Sequence, residues 1–345
     1  MFIFEQIIQL LSLAYVHDLS PFAIKFSESF GLRWYGLSYL AGFVCAYLIL
    51  LYLSKKGKIS LNKEQVSDFV FYVAVGVIIG GRLGYCVFYD PSLFTKFSNN
   101  FPFWGALEVH KGGMASHGGI IGVIASCLLF ARKEKLLRLE LLDLVALTAC
   151  LGIFFGRMAN FVNGELLGRP APENYAFAVK FPQELYEIEA KDFYKLSAAA
   201  ESLGFSKESV DFAIRSNDLA FFSRISEKAI EAVQAGNSQV KLVLEPALTA
   251  RYPSQIYAAL LEGLIIFIGL WLLHIKFSRI GVASAGFVVM YPIMRIISEQ
   301  FRLPDAQIGF QALGLTRGQW ISIGMLVFSL IYLVIFLWQS KAEKK

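Results

Sequence analysis

Fourteen residues, Gly156 to Arg169, carry the densest chemistry in the chain: G-R-M-A-N-F-V-N-G-E-L-L-G-R. Two arginines, two asparagines, a glutamate and three glycines close an apolar run that begins near Leu141. A charge at bilayer depth costs roughly 2.5–3.5 kcal/mol on insertion scales, so such groups mark substrate paths more often than accidents. Arg157 and Asn160 are three apart and share a helix face, which Asn163 and Gly164 continue. Gly164 and Gly168 permit φ > 0 or close approach of backbone to a ligand. A positively flanked helix end followed by a turn is the structural alternative.

Four more polar clusters fall at the ends of apolar runs. Arg33, Trp34 and Tyr35 open the first run. Gly80, Gly81 and Arg82 lie in the second, where Arg82 is a lone charge that a neighbouring span could pair. Gly112 to Gly119 reads G-G-M-A-S-H-G-G. The glycines let the backbone bend and present His117, whose imidazole titrates near neutral pH and serves as acid or base. Tyr291, Arg295, Glu299 and Arg302 follow i, i+4, i+8, i+11, one helical stripe ending near Asp305. A structural salt-bridge ladder would give the same stripe. Arginine's planar fork suits phosphate or carboxylate. A phospholipid head group is the phosphate always present at a membrane surface. Group transfer from a lipid needs charge stabilisation on the leaving phosphate and an activated nucleophile. These residues alone reach as far as an enzyme or transporter for an anionic lipid at the outer leaflet.

The elements that must hold them are apolar. Of 345 residues, 56% are hydrophobic and 17% charged, with mean hydropathy +0.55. Soluble domains carry about 25% charged residues, so the composition is that of a polytopic membrane protein. The net charge of +5 reflects basic loops between apolar runs and implies no nucleic-acid partner. Cys45, Cys86, Cys127 and Cys150 sit inside apolar runs, with neither disulfide nor zinc spacing. His17, His110, His117 and His274 are scattered, so no metal and no cofactor are expected. The N-terminus M-F-I-F-E-Q lacks the basic region of a cleavable signal peptide.

The expected fold is all-α and polytopic, with about seven transmembrane helices. Residues 1–33 form an N-terminal interfacial arm, since the apolar stretch Ile7 to Tyr15 is too short to span. Residues 34–169 hold spans one to four: Trp34–Leu53, Phe69–Tyr89, Gly118–Phe130 and Leu141–Val162. The third is short unless Met114 to His117 enters the membrane. Residues 170–251 are polar and form a head inserted between helices four and five. Within it, Tyr175–Phe181 alternates like a strand, Val240–Leu244 is a candidate partner strand, and Gln183–Leu203 and Ser206–Ala235 read as helical. Ser206 is a plausible N-cap, without the Glu or Gln of a capping box. Residues 252–345 hold spans five to seven, Gln255–Leu273, Gly281–Ile297 and Gln319–Trp338, and a tail. Placing loops one, three and five and the tail inside puts thirteen Lys and Arg there, against four in the short outer loops. The N-terminus is then outside, the C-terminus cytoplasmic and the head extracytoplasmic.

G-G-M-x-x-H-G-G, G-R-x-x-N-F-x-N-G-E-x-x-G-R, P-S-Q-x-Y and R-x-x-x-E-x-x-R-x-P-D occur in that order at the span boundaries. In these motifs the chain resembles the prolipoprotein diacylglyceryl transferases of the bacterial inner membrane. The likeness covers about Trp34 to Trp338, apart from some of the head. It implies transfer of diacylglyceryl from phosphatidylglycerol, a membrane lipid, to the lipobox cysteine of a prolipoprotein signal peptide. The products are a thioether and glycerol 1-phosphate. Tyr35, His117, Arg157, Asn160, Asn163, Glu165, Gly168, Tyr291, Arg295, Glu299 and Arg302 fall on the family's motif positions. The resemblance implies catalytic roles for His117, Arg157, Arg295, Tyr291 and Tyr35. It implies substrate binding by Arg157, Asn160, Asn163, Glu165, Gly168, Glu299 and Arg302. Arg157, with Asn160, would hold the lipid phosphate, and Arg295, oriented by Glu299, would meet the leaving glycerol phosphate. Thiol deprotonation falls to His117 or Tyr291. Two positions depart from the family pattern: Tyr252 stands where His is usual and Ala258 where Glu is usual.

A transporter or flippase would use the same arginines as a binding ladder. It would also need charges leading to the cytoplasmic face, which the sequence lacks. A scaffold with the head as docking module leaves the arginine stripe unexplained. Arg157 has no acidic residue in the turns before it: Asp143 is fourteen residues back, about 21 Å along a helix. A lipid phosphate is its expected partner.

Overall fold

The computed structural model describes residues 14–26, 31–99, 102–109, 112–172, 174–277, 279–304 and 309–342, without side chains at 190, 332 and 335–342. Most of the expected interfacial arm, His110 and Asp305 lie outside the described residues. The chain is mostly helical. Four helices are long and apolar enough to cross a membrane: α1 (Trp34–Lys55), α2 (Lys63–Phe88), α4 (Arg138–Asn163) and α9 (Ser254–Lys276). Between them lie α3 (Ser116–Glu134), α5 (Ser197–Ser202), α6 (Lys207–Ser216), α7 (Leu219–Gln234) and α8 (Ser238–Leu244). After α9 come α10 (Val282–Ser298) and α11 (Arg317–Ala342). α1 is hydrophobic all round. On α1 only Gly42, Leu50 and Leu53 are buried, while Tyr39, Leu40 and Leu48 are more than half exposed. Water would not tolerate faces of this size, whereas lipid hydrocarbon is their natural solvent.

The chain forms two compact units. One comprises residues 40–152, 265–290 and 329–345. Its closest packing joins α2 to α3 through Gly76, Gly80 and Gly84 on one side and Gly118 and Gly122 on the other. A Cβ at Gly122 would lie 2.0 Å from the Gly76 carbonyl oxygen, so these backbones touch. α2 opens with a full capping box, Asn62 with Gln65. Asp143 caps α10 by accepting from the backbone N–H groups of Gly281 at 2.5 Å and Ser284 at 2.7 Å.

The other unit comprises residues 1–39, 153–264 and 291–328. A three-stranded sheet, β1 (Tyr15–Val16), β4 (Val179–Lys180) and β5 (Ala250–Arg251), runs in the order β1-β4-β5. A hairpin pairs β2 (Phe22–Lys25) with β3 (Gly31–Arg33). Ser206 caps α6 through the Ser209 N–H, as expected. Two expectations for the head are corrected. Val240–Leu244 lies in helix α8, capped by Asn237, and the partner of Val179–Lys180 is Ala250–Arg251. The β-branched valines here serve a helix face: Val240 and Leu244 enter a core with Phe193, Phe222 and Ile225. The stretch Ser206–Ala235 is two helices, broken where Asn217 turns left-handed at φ 55°.

His17 follows β1 and is fully buried, its ring against Phe161 and Phe181. Burial pushes its pKa down to about 4. The nearby Phe161 backbone favours the protonated form slightly, but neither ring nitrogen reaches hydrogen-bond geometry among the described residues. A histidine lowered from its ordinary value binds its proton more readily unfolded than folded. Its stabilising effect is therefore whole above about pH 6.5 and is lost as pH falls towards about 4, by up to about 1.4 kcal/mol per pH unit. We expect proteolysis near Tyr15–Asp18 to rise across that window in the wild type and to stay flatter in His17→Phe. Equal slopes for both would remove His17 as the cause.

Candidate active site

The Gly156–Arg169 stretch ends α4 and turns sharply. Gly164 has φ +66°, and a Cβ there would strike the Gln183 side chain. Leu166 is also left-handed, at φ 57°, a strained position for a branched side chain. Backbone bonds hold the turn: Leu303 N–H to Leu167 O, Arg169 N–H to Phe301 O, and Tyr252 N–H to Arg169 O. Gly168 packs where no side chain fits, since a Cβ would lie 1.9 Å from the Tyr252 carbonyl oxygen. The close approach that Gly168 permits is thus to the chain's own backbone.

The Glu165 carboxylate gathers three of the expected residues. Tyr35 Oη donates to it at 2.8 Å, Asn163 Nδ2 at 3.2 Å and Asn160 Nδ2 at 3.4 Å. Asn160 also donates to the Tyr35 hydroxyl.

The arginines form a second cluster. Arg157 Nη2 lies 2.9 Å from Glu262 and Arg295 Nη1 lies 2.8 Å from the same carboxylate. Ser298 Oγ donates to it at 2.5 Å. Arg295 also pairs with Glu299, and Arg302 Nη1 lies 3.3 Å from Glu299. Thr316 Oγ1 donates to Glu299 at 2.9 Å. Charge alternates along Arg157, Glu262, Arg295, Glu299 and Arg302. Three guanidiniums against two carboxylates leave one positive charge among these five groups. Both carboxylates are buried, while the arginine side chains remain 19, 13 and 15% exposed. Arg157, Arg295 and Arg302 line one small cavity with Leu166, Ser254, Gln255, Ala258 and Ser298. The Tyr291 hydroxyl accepts from Arg157.

Three expectations change. Arg157 has a protein partner, Glu262, from a distant part of the sequence. Glu262 sits in a π-helical turn of α9, Ala259–Ile265, a distortion of the kind that re-aims side chains at functional sites. It is the only charged residue in the apolar run Gln255–Leu273, and that isolation was the available signal. The arginine stripe is not one helix: α10 ends at Ser298, so Glu299 and Arg302 meet across a turn. Among the described residues the Arg82 charge is answered by a loop and not by another span. Its guanidinium donates to the carbonyls of Gly105, Ala106, Gly112 and Gly113 at 2.7–3.0 Å. It thereby fixes the loop ahead of His117, which is exposed in the first turn of α3 and belongs to the other compact unit. Of the two departures, Tyr252 packs on Tyr175 and Phe301, and Ala258 forms part of the cavity wall. Among the described residues no cluster of three His, Cys, Asp or Glu could hold a metal.

Apolar helices of span length, carrying a buried arginine–carboxylate ladder, define a membrane protein. The family model for prolipoprotein diacylglyceryl transferase matches residues 21–335. A phosphatidylglycerol–prolipoprotein diacylglyceryl transferase of Bdellovibrio bacteriovorus is 48% identical over 342 residues, 96% of each chain. Proteins of the same name from Azospirillum brasilense (35% over 305 residues, 86% of this chain and 87% of the relative) and Legionella pneumophila (34% over 325 residues, 94% and 98%) are also similar. The chain belongs to the prolipoprotein diacylglyceryl transferase family.

Proposed function

We propose that this protein transfers the diacylglyceryl group of phosphatidylglycerol to the lipobox cysteine of prolipoproteins, the first step of lipoprotein maturation. The alternating ladder of Arg157, Glu262, Arg295, Glu299 and Arg302 carries this reading. In the reaction the cysteine sulfur bonds to the diacylglyceryl carbon, and the bond from that carbon to the phosphate oxygen breaks. The thiol proton leaves to a base. The phosphodiester carries one negative charge and the released glycerol phosphate gains a second. A ladder with one positive charge in excess, already oriented, stabilises that growing charge without reorganising solvent. Arg157 and Arg295 hold the phosphate, and Arg302 flanks them. Glu262 and Glu299 keep the guanidiniums in place between turnovers. Tyr35, Asn160, Asn163 and Glu165 form the adjoining polar floor, and Gly168 closes the turn beneath it. His117 or Tyr291 takes the thiol proton. A free thiol has a pKa near about 8.5, so a nearby positive field also raises the thiolate fraction.

The expected result is a mass gain of one diacylglyceryl group on a lipobox peptide incubated with purified protein and labelled phosphatidylglycerol. Glycerol phosphate should be released only when the thiol is present and not with its serine analogue. Release that ignores the thiol indicates a phospholipase and rejects the transfer.

In this reading the chain crosses the bacterial inner membrane seven times. Residues 34–169 and 252–345 form the membrane part, residues 1–33 an interfacial arm and residues 170–251 an extracytoplasmic head. The N-terminus is outside and the C-terminus cytoplasmic, as the loop charges favour. Single cysteines placed between Ser206 and Ala235 should react with an impermeant thiol reagent in cells whose inner membrane is intact. Labelling only after that membrane is permeabilised would reverse the orientation.

A further inference from the structure

Gln255 is 2% exposed. Its Nε2 donates to the Glu165 carbonyl at 2.5 Å, which sets the amide's orientation, because turning it over would face two oxygens. Its Oε1 is then buried and meets no donor among the described residues. Native folds rarely keep a buried acceptor in this state unless a ligand or an ordered water completes it. Gln255 also lines the cavity with Arg157, Arg295 and Arg302. About 10 Å³ of that cavity is open to the centre of a water-sized sphere, close to the minimum for one hydroxyl group or one water.

We propose that Gln255 reads the head group of the lipid donor. Its Oε1 accepts a hydrogen bond from a head-group hydroxyl while the neighbouring arginines hold the phosphate. The ligand class is a phosphodiester lipid with a short polyol head. Two forces then select it. A head without a hydroxyl leaves the buried oxygen unpaired, and a site built to bond a hydroxyl rejects analogues that lack it. A cationic head could donate to Oε1 but would enter beside three guanidiniums, where like charge disfavours it. This assignment rests on the transferase reading above.

The test crosses two donors with two proteins. The donors are phosphatidylglycerol and the same lipid with an n-propyl head, which also releases a phosphate monoester but has no head-group hydroxyl. The proteins are the wild type and Gln255→Met, close in shape but without acceptor or donor. Wild type should favour the glycerol donor by at least about tenfold in kcat/KM. In Gln255→Met the ratio of the two donors should fall to near one. If Gln255 only braces the Glu165 turn, both donors slow in proportion, the ratio survives, and the assignment is overturned. Equal use of both donors by the wild type overturns it with no need for the variant to fold. Transfer from neither donor by the wild type rejects the underlying reaction instead.

Discussion

Arg157→Lys should lower diacylglyceryl transfer on the order of 10²-fold while the protein keeps its fold, the scale of losing one preorganised transition-state donor. The fold survives because a lysine ammonium can still lie against Glu262 as a point charge, and no buried carboxylate is left alone. The chemistry does not survive, because the point charge of lysine cannot copy the planar fork by which Arg157 meets Glu262 and would meet a phosphate. Its side chain is 19% exposed, more than that of Arg295 or Arg302, so it is the arginine a lipid meets most easily. Thermal unfolding in detergent and kcat/KM for a lipobox peptide check both halves. Activity within a few fold of wild type would show that charge alone suffices there and that bidentate recognition plays no part.

Glu262→Ala should be the most damaging single change to stability. Glu262 is fully buried and pairs with both Arg157 and Arg295. Removing one member of a buried ion pair costs about 3–5 kcal/mol, because the charges left behind stay desolvated. Arg295 keeps Glu299, but Arg157 has no second carboxylate among its ion pairs. The expected outcome is a large fall in folded yield and melting temperature, with little activity in the folded remainder. Pairing Glu262→Gln with Arg157→Gln should recover much of the stability, since groups in one network are not additive, yet recover no transfer. A stable, active Glu262→Ala would mean that the guanidiniums are solvated, and the ladder would lose its place in the mechanism.

The sequence by itself determined that the chain is a membrane protein, because apolar runs of span length with basic loops have few other solutions. It also brought forward most of the residues that the two polar clusters contain. Asn160, Asn163 and Glu165 are close in the chain, so their clustering follows from local geometry. Arg295 and Glu299 are one helical turn apart and do pair. The tertiary structure decided the rest. Glu262 is 105 residues from Arg157 and 33 from Arg295. No periodicity announces that the π-helical turn aims it between them. Arg82 looked like half of an interhelical pair. Only the placement of Gly105, Ala106, Gly112 and Gly113 shows that carbonyl oxygens answer its charge, and such placement is not written in hydropathy. Val240–Leu244 has the composition of a strand and became a helix because Asn237 caps it and the head core accepts one of its faces. Short apolar runs fit strand or helix equally well until packing chooses, and packing depends on residues far away in sequence.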